Sequence, residues 1–148
     1  MSTYTQILYQ FVFGPKGHKK VLIAENRTAL FSYINGILKE KKCHVYRING
    51  IEDHIHILTH VHPSVAVADL IKDIKMASSV YIKANNLFPG FIGWQEGYGA
   101  FTYSAKDRER LIEYVKNQEE HHRRQAFRAE YASLLKEHDI DPDVRYFP

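Results

Sequence analysis

Two hydrophobic periods take turns along this chain, and the order in which they do so admits few folds. Residues 5–13 alternate, with Ile7, Tyr9, Phe11 and Phe13 on one side and Gln6 and Gln10 on the other, which predicts a strand. Leu30, Phe31, Ile34, Ile37 and Leu38 then recur at helical spacing, predicting a helix over about residues 27–42. Its mostly basic last turn suits a helix C-terminus. Residues 43–48 and 53–61 read as two strands around Asn49-Gly50, a strong tight-turn signal. Pro63-Ser64 opens a second helix, with Val67, Leu70, Ile71, Ile74 and Tyr81 on one side. Residues 91–103, aromatic and broken by glycine, predict an irregular fourth strand. Ser104-Ala105-Lys106-Asp107 fits a capping box, ahead of a helix holding Leu111, Ile112 and Val115. A last helix carries Phe127, Tyr131, Leu134 and Leu135.

Strand-helix-strand-strand-helix-strand is the split βαβ order. The expected fold is therefore α+β and ferredoxin-like (RRM-like), an antiparallel sheet with helices on one face plus C-terminal helices. At 148 residues, with no repeat, linker or low-complexity tract, residues 1–148 are expected to form one domain. Such a fold hosts many activities, so function has to be read from individual side chains.

Charge and composition exclude some classes. No apolar run approaches a membrane span, and residues 1–4 carry no basic region ahead of an apolar stretch, so no secretory signal is expected. A single cysteine, Cys43, rules out an internal disulfide framework and suits a reducing cytoplasm; it is expected to be a small core residue. With 20 Lys plus Arg against 17 Asp plus Glu, the chain permits an anionic partner without demanding one. The nine histidines and ten tyrosines are more informative, because both types do chemistry near neutral pH or at a metal.

Four histidines fall in the stretch EDHIHILTHVH of the third strand. Side chains alternate there, so His54 and His56 share one face while Ile55 and Ile57 can pack on helices from the other. Two imidazoles at i and i+2 can converge on one cation, or can simply line an open, histidine-rich face of the sheet. His60 and His62 have the same parity. At about 3.3 Å per residue, however, His60 lies roughly 13 Å from His56, too far to share a first shell. The absence of cysteine pairs argues against a structural zinc site.

Tyr114 and Gln118 stand four apart, one helical turn from each other. The Gln118 carbonyl oxygen is a reasonable third ligand for a hard divalent ion, and Tyr114 would then sit beside the ion, able to attack a phosphate that the ion polarises. A tyrosine at such a position is equally an ordinary half-buried helix residue. Arg110, Asn117 and His121 lie near enough along the helix to position phosphate. What weighs toward chemistry is the pairing of a two-histidine strand with a Tyr-x-x-x-Gln helix.

With GIEDHIHIL, DLIKDIKMASSVYIK, GWQEGYGAFTYS, LIEYVKNQEEHH and the tail FRAEYASLLKEHDIDPDVRYF, the chain resembles the single-tyrosine, histidine-hydrophobe-histidine transposases of the insertion-sequence-200 type, to which REP-associated tyrosine transposases are close kin. The resemblance runs over nearly the whole chain. It implies an enzyme that cleaves single-stranded DNA through a 5′-phosphotyrosine and transfers the strand. It also implies residue roles: His54, His56 and Gln118 as metal ligands, Tyr114 as the nucleophile, and Mg2+ or Mn2+ as the ion. Single-stranded DNA with hairpin ends is the implied partner. A homodimer is implied as well, and in many members the tyrosine helix serves the histidine pair of the other subunit.

Candidate phosphate contacts are Lys16, Lys19, Lys20 and Arg27 near the first helix, Lys72, Lys75 and Lys83 on the second, and Arg123 and Arg124 beyond the tyrosine. Each is as readily a solvated surface charge. Trp94, Tyr98 and Phe101 could stack on bases, or belong to the core. No GxxxxGK loop is present, consistent with chemistry that needs no nucleotide cofactor. Alternative readings are a domesticated repeat-processing or replication-initiation-type endonuclease of the same chemistry, and a non-enzymatic nucleic-acid-binding module. The second would want aromatics where the third strand has histidines.

Overall fold

The alternation in the first strand makes it the seam between two packed layers. In a computed structural model, which describes residues 2–142 apart from the side chains of Arg123 and Arg124, β1 (Leu8–Phe13) lies inside a four-stranded sheet. The other strands are β2 (His44–Ile51), β3 (His54–His60) and β4 (Gly99–Tyr103). The order is β2-β3-β1-β4, every neighbouring pair antiparallel, with Val12 opposite His56 and Phe11 opposite Ile57. This is the α+β split βαβ sheet the periodicity predicts.

Helices α1 (Ala24–Glu40) and α2 (Val67–Ala84) cover one face. Their apolar stripes, Leu30, Ile34 and Leu38 from α1 and Leu70, Ile71 and Ile74 from α2, close on Phe11, Phe13, Ile55 and Ile57. Trp94 and Cys43 are buried in the same core, and Tyr98 packs against it. The opposite face was expected to stand open for a ligand. Instead α3 (Arg108–Lys116), α4 (Gln118–Arg124) and α5 (Phe127–Glu137) follow β4, and two of them bring apolar residues to that face. Leu111 and Val115 of α3 pack on Leu8 and Leu58, while Phe127, Tyr131, Leu134 and Leu135 of α5 pack on Val12 and Phe101. Between these two small clusters lie the histidines.

Several local expectations are corrected. Asn49-Gly50 is not the hairpin turn: both residues are in β2, opposite His56 and Ile55, and the turn falls on Glu52-Asp53. Glycine is required at 50 by proximity, since a Cβ there would lie 2.4 Å from the His54 carbonyl oxygen. The Asn49 amide donates to the Lys116 carbonyl (2.9 Å), tying the hairpin to the end of α3. Ser104 makes no side-chain cap; the Asp107 N–H donates to its carbonyl (3.0 Å) in a 3-10 turn over Ala105–Asp107. The second helix opens at Val67, not at Pro63, and the fourth strand shrinks to Gly99–Tyr103, preceded by one bridge between Pro15 and Trp94.

Candidate active site

The even-numbered side chains of β3 leave the sheet on the face that α3, α4 and α5 cover, and His54 and His56 are both 0% exposed there. Each ring is fixed from behind. His54 Nδ1 lies 2.8 Å from the Asp53 carboxylate, supplied by the hairpin turn, and His56 Nδ1 lies 2.6 Å from Gln10 Oε1 of β1. Both partners accept, so both Nδ1 atoms donate, and each ring turns Nε2 toward the helices. Phe127 stacks flat on the His54 ring, centroids 3.9 Å apart.

The helices bring Tyr114, Gln118, His122 and Glu130 to the same point. Gln118 does not share α3 with Tyr114; it opens α4 after a break at Asn117. The two stay on one side nonetheless, and Gln118 Nε2 donates to the Tyr114 carbonyl at 3.4 Å. Gln118 Oε1 is 3.3 Å from His54 Nε2. Glu130, 2% exposed, sits at the centre. Its Oε1 is 3.2 Å from His54 Nε2, 3.1 Å from His56 Nε2 and 3.1 Å from His122 Nε2. Its Oε2 accepts from the Tyr114 hydroxyl and, at 3.3 Å, from Gln118 Nε2.

Burial and this web set the protonation states. Burial would raise the Glu130 carboxyl, but hydrogen bonds from His122, His54 and His56 hold it well below the carboxylate range. Burial, with the Glu130 charge beside it, pushes the Tyr114 phenol well up. For His54, burial is outweighed by hydrogen bonds to Asp53 and Glu130 and the pKa rises; for His56 burial wins and the pKa falls to about 4. The donor set fits a divalent cation. Two imidazoles with their Nδ1 protons held by acceptors are the arrangement of metal-ligating histidines, whose other nitrogen is free to coordinate. Ligand atoms of His54, His122 and Glu130 also lie within 4.8 Å of one another.

The four residues singled out in the sequence thus meet within one chain. Glu130, His122, Asp53 and Gln10 were missed. The signal for Glu130 was present: it falls on the stripe Phe127, Glu130, Tyr131, Leu134 at helical spacing, an acid where a core residue belongs. His60 and His62 are absent from the cluster; His60 Nδ1 accepts from the Ile7 N–H (3.0 Å), and His62 pairs with Ser64.

A cleft of about 920 Å³ opens beside the cluster, lined among others by His18, Lys20, Asp53, His122, Phe127 and Arg128. Of the expected phosphate contacts among the described residues, Lys20 and Arg27 line it, and Arg27 is otherwise engaged. Its guanidinium is buried, donating to the Leu22 carbonyl (2.7 Å) and pairing with Glu119 (3.1 Å), which pins α4 to the start of α1. Lys75 likewise gives its amine to the Gln95 carbonyl (2.9 Å) and lies over the Phe13 ring. Lys16 and Lys19 are exposed on the loop after β1. Lys72 and Lys83 are exposed on α2, across the sheet from the cluster. The side chains of Arg123 and Arg124 lie outside the described residues. Trp94 and Phe101 are core, not stacking platforms: Trp94 donates to Ser78 Oγ (2.9 Å) and Phe101 is buried under α5.

Residues 3–118 match the family model described as transposase IS200 like. The chain belongs to that family of transposases. It is similar to the ISDra2 transposase TnpA of Deinococcus radiodurans, 25% identical over 118 residues, 76% of this chain and 84% of that one. Among solved structures it superposes on a Deinococcus radiodurans chain described as a transposase (TM-score 0.62, 20% identity, 80% of this chain and 95% of that one). It also superposes on a REP-associated tyrosine transposase bound to a REP hairpin (TM-score 0.57, 12% identity, 79% and 72%). At these identities the two superpositions establish the shared fold. No helix among the described residues is long and apolar enough to cross a membrane.

Proposed function

We propose that the protein is a single-tyrosine transposase that cuts single-stranded DNA and transfers the cut strand. The observation that carries the reading is the convergence of the Tyr114 hydroxyl, Gln118 and the two β3 histidines on one carboxylate within one chain. A divalent cation, Mg2+ or Mn2+, held by His54, His56 and Gln118 would neutralise and align the scissile phosphate. Asp53 and Gln10 hold the Nδ1 side of each ring, so that Nε2 is the nitrogen turned toward the ion. Tyr114 attacks phosphorus, its phenol oxygen forming the new bond as the bond to the 3′-oxygen breaks. The hydrogen bond to Glu130 Oε2 holds the hydroxyl in place; the phenol gives up its proton to solvent as the new bond forms, and the departing oxygen takes one up from solvent to become a free 3′-hydroxyl. A 3′-hydroxyl from another strand reverses the step and joins new ends; the ester conserves the bond, so no nucleotide is consumed.

The DNA strand enters along the cleft, where Lys20 and His18 meet its phosphates and Lys16 and Lys19 extend the basic rim. A hairpin beside the cut strand is supported by the structural neighbour described as bound to a REP hairpin. Residues 1–148 act in the cytoplasm as one catalytic and DNA-binding domain, as a homodimer in which each protomer carries a whole site. The test is incubation with end-labelled single-stranded DNA from the hairpin-flanked ends of its own element and Mn2+, followed by denaturing electrophoresis. The native chain should give a denaturant-resistant adduct and Tyr114→Phe none, with DNA binding kept; an adduct from Tyr114→Phe would reject the assignment.

A further inference from the structure

Crowding and spacing at Glu130 Oε1 exceed an ordinary set of hydrogen bonds. Three ring nitrogens, from His54, His56 and His122, face Glu130 Oε1 at 3.1–3.2 Å, although a carboxylate oxygen offers two lone pairs. On His54 and His56 the Nδ1 side is already taken by Asp53 and Gln10, so Nε2 is the nitrogen each ring turns to Glu130. His54 Nε2 faces a second acceptor as well, Gln118 Oε1 at 3.3 Å. Three ring nitrogens and two side-chain oxygens thus crowd one buried point. Each nitrogen stands from Glu130 Oε1 as neighbouring ligands on one ion do, roughly 3.0–3.4 Å for bonds of about 2.0–2.1 Å, and ligand atoms of His54, His122 and Glu130 all lie within 4.8 Å of one another.

Resting on the proposed metal-dependent reading, we infer that His122 Nε2 and Glu130 Oε1 are ligands of the same ion. They join His54, His56 and Gln118 in a shell of three imidazoles, a carboxylate and an amide oxygen. The ion then belongs to the C-terminal helices as much as to the sheet. α4 contributes Gln118 and His122 one turn apart, and α5 contributes Glu130 from its buried stripe, with Phe127 of the same stripe stacked on His54. A shell this rich in nitrogen selects Mn2+, or another first-row transition ion, over Mg2+, which prefers oxygen and retained water.

The test is ion binding by the full chain, without DNA. Mn2+ and Mg2+ are titrated calorimetrically into the native protein and into Glu130→Gln, His122→Ala and His56→Ala, with circular dichroism of each ion-free variant as the folding control. The native chain should bind Mn2+ at least about tenfold more tightly than Mg2+. Glu130→Gln and His122→Ala should each weaken Mn2+ binding by about tenfold or more, the range that even outer-shell losses reach. Native affinity in both variants, with binding lost in His56→Ala, would overturn the inference and leave the His54–His56–Gln118 site standing. Absence of Mn2+ binding in the native chain would remove the inference together with the ion assignment beneath it. Should either variant fail to fold, pulsed EPR of Mn2+ on the native chain decides: three coupled imidazole nitrogens support the larger shell, and two overturn it.

Discussion

The two faces of the sheet are built from opposite materials. Under α1 and α2 lies one continuous apolar core from Leu22 to Trp94, in which polar side chains such as Ser78 are incidental. Under α3 and α5 the apolar contact divides into two small patches, with Glu130, Gln118, His54, His56 and Gln10 buried between them. A folded chain tolerates so many buried polar groups only when each has partners. The first face therefore secures the fold, and the second exchanges hydrophobic stabilisation for a preorganised cluster. Adjacent residues of one strand serve the two faces, Ile55 and Ile57 the apolar core, His54 and His56 the buried polar cluster.

The sharpest way to break this contrast is to cut one residue on each face. Ile57→Ala should cost about 2–5 kcal/mol in urea unfolding, yet still form the DNA adduct wherever it remains folded. His56→Ala should lose the adduct entirely, whatever its stability. If Ile57→Ala abolished the adduct while folded, or His56→Ala kept it, the division of labour would be wrong. A second comparison uses the ion: Mn2+ at about a hundred times its Kd should stabilise the native chain by about 2.7 kcal/mol. The same increment should appear in Ile57→Ala and vanish in His56→Ala, read from paired unfolding curves. At the cleft, Lys20→Ala should weaken single-stranded DNA binding at every sequence and lower the slope of log affinity against log salt by about 0.7; an unchanged slope would remove Lys20 from the strand path. The smallest effect belongs to Trp94→Phe, which deletes the hydrogen bond to Ser78 and should cost about 1 kcal/mol with no change in adduct yield.

Much of the first face was legible in the sequence, because period two and period 3.6 are local signals and Phe11, Ile57, Leu30 and Ile74 obey them. The second face was legible only where spacing is short, as in His54-Ile55-His56 and Tyr114 to Gln118. Contacts between distant segments left weaker marks. Gln10 meets His56 across 46 residues, and Glu130 meets it across 74, so neither reads as a partner from position alone. Asn49-Gly50 misled for a related reason. Its turn signature is local, but the glycine answers to the His54 carbonyl across the hairpin and the asparagine to α3. Arg27 and Lys75 read as surface charge because a sequence does not show which cations fold back onto carbonyls.

Glu130 and the Phe127 ring belong to a helix beyond residue 118, where the family match ends. A chain shortened to that residue would keep both strand imidazoles, the phenol and the amide. It would lose the stacked ring over His54 and the carboxylate that gathers the others, leaving the imidazoles open to water. The short terminal helix is thus what closes the second face of the sheet over its buried polar residues.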